Sequence, residues 1–347
     1  MSTEGWSYKH AGVDIDAANA AKQDMSKVLA ASNQRVLNTV GAFASLYDIH
    51  FPAMTHPVLV LKTEEPGSKQ LLALQHDRAE SICFDMINHL INDCVVMGAT
   101  PLSVQDAIIC GKLEQAVVMR MVKAIAEACR QQGCDLTGGE TSEQPGMLEA
   151  GRYVLTSSIV GIVERDEVID GSAIQEGDVV LGLESSGLHT NGYTLIRAII
   201  AKQPDIIHER LEDGRSFLDA ILEPHRCYYQ AIKDLFPRRI ITGMAHITGG
   251  GIRENLNRVL PAQIDAEIDL SAYPKLPIFS YLKNHLNIGH DELLRTFNMG
   301  VGYVIVARSN HANDIIQHVQ ANNIRCCRIG TIISGQKTVR TINTFAW

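Results

Sequence analysis

Three consecutive glycines constrain this chain more than any other feature. The stretch Ala245-His246-Ile247-Thr248-Gly249-Gly250-Gly251-Ile252-Arg253-Glu254-Asn255 follows an apolar run that includes Ile240, Ile241 and Met244. It leads into apolar positions at helical spacing, Ile252, Leu256, Val259 and Leu260, which stop at Pro261. A strand, a glycine turn and a helix N-terminus in that order predict a fold mixing strands with helices. The same order builds an anion site, because backbone N–H groups converge and the helix dipole favours negative charge. Glycines let the backbone approach a ligand without a Cβ in the way. His246 stands at the lip, where an imidazole donates to phosphate or moves a proton. A tight strand-to-helix turn with a packed histidine carries the same signature, so the other loops decide.

At 347 residues the chain is long enough for two domains, and its 46% hydrophobic content is ordinary for a globular core. Formal net charge is −8, so no global basic field attracts nucleic acid or an anionic membrane, and an anionic ligand must be held by local devices. No apolar run approaches the roughly 20 residues that span a bilayer, and the polar N-terminus lacks a signal-peptide pattern. The expectation is a cytoplasmic protein with a small-molecule substrate, binding neither nucleic acid nor membrane. Eight cysteines form no C-x-x-C pair and fall mostly in apolar segments, which predicts reduced, buried thiols.

Along the chain, residues 8–16 alternate apolar and polar like a short extended arm, and 17–29 read as a helix. Residues 56–62 (HPVLVLK) form a strand that runs into Thr63-Glu64-Glu65-Pro66-Gly67-Ser68-Lys69. That loop has the glycine, hydroxyl and lysine of a phosphate loop without Walker spacing, and its glutamates suit a phosphate presented with Mg²⁺. In the predicted helix at 79–97, Asp85, Asn88, Asn92 and Asp93 fall near one side, a set of oxygen donors of the type Mg²⁺ prefers. Asp106 sits inside the strand predicted at 102–110 and needs a partner there. A helix at 114–132 precedes a loop at 138–147, whose Gly138, Gly139, Glu140 and Thr141 offer backbone donors, a carboxylate and a hydroxyl. After a strand at 153–163, a polar stretch near 164–175 marks a domain boundary. The second half repeats the pattern: a strand at 178–183, the loop holding His189 and Asn191, then helices at 194–201 and 216–235. The glycine stretch follows, then a strand at 266–270, a helix at 276–286, Asn298 before a strand at 303–307, a helix at 312–321 and two short closing strands. The expected architecture is α+β, with domains at 1–165 and 166–347 sharing one cleft.

These residues resemble the aminoimidazole ribonucleotide synthetase (phosphoribosylformylglycinamidine cyclo-ligase) family. The resemblance rests on Tyr8-Lys9-x-Ala11-Gly12-Val13-Asp14-Ile15-Asp16, Asn92-Asp93, Gly98-Ala99-x-Pro101, Gly138-Gly139-Glu140-Thr141, Glu143-x-Pro145-Gly146-Met147, His189-x-Asn191-Gly192-Tyr193, His246 to Gly251, and Arg295-Thr296-Phe297-Asn298, all in family order. It implies a homodimer joined through the N-terminal sheet, with ATP and Mg²⁺ in a groove. It also implies ring closure of formylglycinamidine ribonucleotide in purine biosynthesis, through phosphorylation of the formamide oxygen. Carried onto this chain, His246, Lys69 and His189 are the expected catalytic residues. Glu64, Gly67, Ser68, Asp85, Asp106, Gly138, Gly139, Glu140 and Thr141 would bind nucleotide. Lys9, Asn191, Thr248, Gly249, Gly250, Gly251 and Asn298 would bind substrate or phosphate, and Asp85, Asn92 and Asp93 the metal. The 63–69 loop departs from the family's Thr-Asp-Gly-Val-Gly-Thr-Lys: Glu64 replaces the aspartate, Glu65 a glycine, and Pro66 stiffens the turn. Two alternatives stand beside this reading: another ATP-dependent phosphoryl transfer within the superfamily, or a non-catalytic scaffold. Selenophosphate synthesis fits poorly, because the first cysteine is Cys83, far from the N-terminus.

Overall fold

The computed structural model describes residues 35–38, 43–285 and 288–346, so the expected arm with Lys9 and the helix at 17–29 lie outside the described residues. The first apolar run is β1 (Pro57–Glu64), followed by α1 (Lys69–Gln75) and α2 (Ala79–Val95). Next come β2 (Thr100–Cys110), α3 (Gln115–Gln131), β3 (Asp135–Glu143) and β4 (Tyr153–Glu164). The four strands lie in the order β1-β4-β2-β3, all pairs antiparallel except β2 with β3.

Periodicity explains how this unit packs. The α2 stripe Ile82, Met86, Leu90 and Cys94 is fully buried against the sheet, as are Val104 and Ile108 of β2. Each such large side chain contributes about 1.5–3 kcal/mol on leaving water. The opposite face has no such cover among the described residues: on β1, Leu59 is 48% exposed and Leu61 70%.

One expected loop is a strand. Gly138, Gly139, Glu140 and Thr141 belong to β3, paired with Gln105 to Ile108 of β2. Glycines and polar residues lower strand propensity, but pairing with a central strand supplies the backbone hydrogen bonds and overrides it.

The second unit contains β5 (Val179–Glu184), α4 (Tyr193–Lys202), α5 (Phe217–Ile221) and α6 (Tyr229–Ile232). It continues with β6 (Ile241–His246), α7 (Gly251–Asn257), β7 (Ile264–Asp269), α8 (Pro277–His285) and α9 (His290–Thr296). It ends with β8 (Val301–Ala307), α10 (Ala312–Ala321), β9 (Cys326–Ser334) and β10 (Val339–Ile342). The six strands follow the order β10-β7-β9-β5-β8-β6, and only β10 with β7 is parallel. The whole of β8 is buried, as its unbroken apolar run requires. Two sheets with segregated helices make the chain a two-domain α+β protein. All eight cysteines are free thiols, six of them buried, and no helix among the described residues is long and apolar enough to cross a membrane.

The single helix expected at 216–235 is broken. α5 stops at Ile221, and residues 223–228 run without helix before α6. Pro224 lacks an N–H and disfavours helix at Glu223. The freed backbone is used by the other half of the molecule.

Candidate active site

The polar face of α2 does two jobs. Asp85, Asn88 and Asn92, at helical offsets 0, 3 and 7, turn toward residues 223–228 of the second unit. The N–H of His225 donates to Asp85 Oδ1 (2.7 Å), and Asn88 Nδ2 donates to the carbonyl of His225 (2.6 Å). Asn92 Nδ2 donates to the carbonyl of Arg226 (2.8 Å) while its Oδ1 accepts from the N–H of Tyr228 (2.9 Å). Asp85 also meets Lys69, with Nζ 2.8 Å from the carboxylate and both side chains fully buried. Lys69 directs further donations to the carbonyls of His189 (3.1 Å) and Glu223 (2.8 Å). Burial pushes the Asp85 carboxyl up to about 6 against the pull of Lys69, and burial lowers Lys69. This corrects three expectations. Asp85 and Asn92 are engaged as an inter-unit staple with residues 223–228 and do not gather with Asp93, and Lys69 directs its donors to Asp85 and the carbonyls of His189 and Glu223.

Asp93, one residue past Asn92 and so about 100° further round the helix, faces β6 and β1 together with His89. His246, the last residue of β6, places Nδ1 2.7 Å from Asp93 Oδ1. Its Nε2 is 2.9 Å from His225 Nε2. His89 Nδ1 lies 2.9 Å from Thr190 Oγ1, and its Nε2 is 3.6 Å from Asp93 Oδ2 and 3.9 Å from Glu64 Oε2. Lys62 Nζ bridges the two carboxylates, 2.9 Å from Glu64 and 3.0 Å from Asp93. Burial works to raise Asp93, but the hydrogen bond and charge of His246, with help from His89 and Lys62, carry it well below the usual carboxylate range. Burial drops His89 to about 4, with His246 adding to the fall. Asp93 is therefore an anion and His89 a neutral imidazole near pH 7.

A second polar row crosses the first sheet. Glu64 of β1 and Asp106 of β2 are both in register with Ser157 of β4, and Gly139 of β3 is opposite Asp106. Residues in register share a face, so Glu64, Ser157 and Asp106 point to the same side, across roughly 10 Å of sheet. Ser157 Oγ is buried and has no hydrogen-bond partner. Burial raises the Asp106 carboxyl to about 7. A Cβ on Gly139 would collide with the Asp106 carboxylate, so this glycine serves to seat that side chain.

The glycine turn is more occupied than a bare anion loop. Gly250 N–H donates to the carbonyl of Arg295 and Gly251 N–H to that of Thr248, each at 3.0 Å. Thr248 Oγ1 donates to Asn255 Oδ1, and Asn255 Nδ2 reaches the carbonyls of Gly249 and Gly251. A Cβ on Gly251 would strike the Leu294 carbonyl, so packing against α9 alone demands glycine there. Asn191 Oδ1 lies 3.5 Å from where a Cβ on Gly249 would stand. Asn298 is buried as a turn clamp, accepting from Ser185 Oγ and the Gly300 N–H and donating to the Gly187 carbonyl. His189 is 1% exposed and stacks on His225 with ring centroids 3.8 Å apart. It supports the cluster from behind, where the sequence had suggested a catalytic position. Gly67 turns with positive φ beneath Thr190, and Ser68 caps α1 without a side-chain bond. Gly138 to Thr141 lie on the far edge of the sheet from β1, three strand spacings or about 14 Å away. They do not face His246 within one chain.

Sequence reasoning missed His89, His225, Thr190, Lys62 and Ser157. The first had a signal, since His89 precedes Asp93 by one helical turn. His225 was hidden inside a helix that does not form.

Residues 47–163 match the domain family described as AIR synthase related protein, N-terminal domain, and residues 175–343 match its C-terminal domain. The chain belongs to the AIR synthase family. It is 40% identical over 332 residues to a phosphoribosylformylglycinamidine cyclo-ligase of Bacillus cereus, covering 94% of this chain and 96% of the relative. The enzyme of that name from Nitrosococcus oceani is also 40% identical, over 331 residues, with 94% and 91% covered. Among solved structures, thiamine-monophosphate kinase from Stenotrophomonas maltophilia superposes with a TM-score of 0.70 at 17% identity, covering 94% of this chain and 97% of that one. E. coli HypE gives 0.68 at 16% identity, with 95% of each chain covered. At those identities the two structures show a shared fold.

Proposed function

We propose that this AIR synthase family chain closes formylglycinamidine ribonucleotide to aminoimidazole ribonucleotide at the expense of ATP, releasing ADP and phosphate. The observation that carries the reading is the Asp93–His246 pair, one residue from each unit, at 2.7 Å across the cleft of a chain 40% identical to named cyclo-ligases. In the reaction the formamide oxygen accepts the γ-phosphoryl group, the ring-forming nitrogen attacks the activated carbon, and phosphate leaves with that oxygen. Phosphorylation is needed because an amide oxygen is otherwise a poor leaving group, so the protein's work is positioning and charge neutralisation. The nitrogen must lose a proton as the ring forms. Asp93 and His225 orient the His246 ring, the group this reading assigns to that proton.

The Glu64–Ser157–Asp106 row supplies donors of the type Mg²⁺ takes, and with Glu64 and Asp106 two strands apart and the Asp106 carboxylate against Gly139, it suits an ion carried on the nucleotide phosphates rather than one chelated by all three. It offers two carboxylates and an orphaned hydroxyl, all oxygen donors, and the raised Asp106 carboxyl is a group that a nearby cation would return to its ionised form. When bound there, the ion would neutralise phosphate charge. In this reading residues 1–165 carry the nucleotide, with Gly67, Ser68 and the Gly138–Thr141 strand contributing. Residues 166–347 complete the cleft, with Asn191 and the Thr248–Gly251 turn next to the substrate phosphate. Two copies pair through the bare face of the first sheet, where Tyr47, Leu59, Leu102, Gln105, Ser158 and Val160 line a shallow pocket. A cytoplasmic location is part of this reading.

The test is purified chain with formylglycinamidine ribonucleotide, ATP and Mg²⁺, following aminoimidazole product and ADP. Asp93→Asn is expected to reduce turnover by about 10²-fold or more with folding retained by circular dichroism. No product from the parent chain would end the proposal, and full activity in the variant would remove Asp93 from the chemistry.

A further inference from the structure

The nitrogen-rich cluster beside Asp93 does not match the oxygen-only demands of Mg²⁺. We propose that His89 Nε2, His246 Nδ1 and the Asp93 carboxylate form a binding site for a first-row transition-metal ion of the Zn²⁺ or Co²⁺ class, distinct from the magnesium position on the first sheet.

Four observations carry this. The three donor atoms lie within 4.8 Å of one another. A tetrahedral ion with ordinary ligand lengths separates its donors by roughly 3.3 Å. The nearest pairs here, 2.7 Å from His246 to Asp93 Oδ1 and 3.6 Å from His89 to Asp93 Oδ2, lie about 0.6 Å below and about 0.3 Å above that.

Each histidine is also aimed by its other nitrogen. His89 Nδ1 is held by Thr190 Oγ1, and His246 Nε2 by His225 Nε2. This is the outer support that metal-ligating imidazoles use to fix ring orientation. Thr190 Oγ1 and His225 Nδ1 lie 3.5 Å apart, which links the two supports to each other.

A cation already occupies the approach. The Lys62 ammonium lies against Asp93 and Glu64, and its side chain is 37% exposed, so it can swing into solvent. The neighbouring cluster of His189, His225 and His246 is a poorer candidate, because His189 stacks face to face on His225 and is fully enclosed.

Finally, the ligand set draws on both units, with His89 and Asp93 from α2 and His246 from β6. Three protein ligands, of which Asp93 keeps 19% of its side chain exposed, is the pattern of a metal that keeps a position for water or substrate. An ion here would also clamp the two units together.

The experiment is made on the full chain without nucleotide or substrate, so it reads the metal site independently of the ring-closing activity. Chelator-stripped protein is titrated with CoCl₂, following visible d–d absorption and thermal unfolding. Expected are saturable bands at one ion per chain and a raised melting temperature. His89→Met, which keeps the volume and folding, should weaken Co²⁺ binding at least about tenfold. Lys62→Met should strengthen it, because the competing ammonium is gone. Absence of bands, or bands unaffected by His89→Met, overturns the site. If His89→Met unfolds, Lys62→Met alone decides, and weakened or unchanged affinity in that variant overturns the proposal.

Discussion

Asp93 and Asp106 are carboxylates in opposite electrostatic company. Asp93 is surrounded by His246, His89 and Lys62 and stays ionised. Asp106 is raised to about 7 by burial, opposed only by a hydrogen bond from its own backbone. An unfolded aspartate titrates near 4. Between those values the folded chain holds a proton that the unfolded chain lacks. Without Mg²⁺, stability should be greatest below about pH 4 for this group and decline as pH rises through about 7. Asp106→Asn should flatten that decline when urea midpoints at pH 5 and pH 8 are compared, and an identical decline in both proteins would refute it. The misplaced Asp106 was legible in the sequence because a strand-interior aspartate demands an explanation. Its neighbour Ser157 was not, since a serine in a strand carries no sign that its hydroxyl will be left unpaired.

The α2 helix shows how far spacing can be trusted. Offsets of 0, 3, 7 and 8 put Asp85, Asn88, Asn92 and Asp93 near one side; the first three do face residues 223–228 while Asp93 meets His246 instead, and short polar side chains in a helix do need compensation. The compensation comes from the backbone of residues 223–228, distant in sequence and hidden by the expectation of a continuous helix. No local pattern reports such a partner. Asn92→Ala would leave the Tyr228 N–H and the Arg226 carbonyl without their partners, at a cost of about 1–3 kcal/mol. Urea unfolding measures that loss, and amide exchange at Tyr228 should quicken. Unchanged stability would mean that water replaces the amide fully. The strand and helix elements of both sheets were otherwise readable from apolar period. The exceptions are α1, which follows the 63–69 loop unannounced, β3, where pairing overrode composition, the 216–235 segment, which splits into α5 and α6, and α9, which lies between segments too short to show a period.

At the scale of the whole molecule, helices cover only one side of the first sheet among the described residues. Leu59 and Leu61 on its open face are the apolar residues a second copy would bury. Leu61→Glu places a charge at the centre of that contact, where an unpaired buried charge is costly. Sedimentation equilibrium should show dimers in the parent chain and a dimer dissociation constant at least about tenfold weaker in the variant. Parent chains that remain single at micromolar concentration would refute pairing through this face.

The glycines bear on how such a family drifts. A Cβ at Gly139 would collide with the Asp106 carboxylate, at Gly171 with the Val259 carbonyl, and at Gly251 with the Leu294 carbonyl. At Gly171 and Gly251 the obstacle is backbone, which cannot rotate aside as a side chain can. A descendant that had abandoned catalysis altogether would still be purged of substitutions there, since selection for a folded chain suffices. Retained glycine motifs are therefore weak witnesses of surviving chemistry. The stronger witnesses are partly exposed positions such as Lys62 and Glu64, whose loss the fold would tolerate and only a ligand would notice.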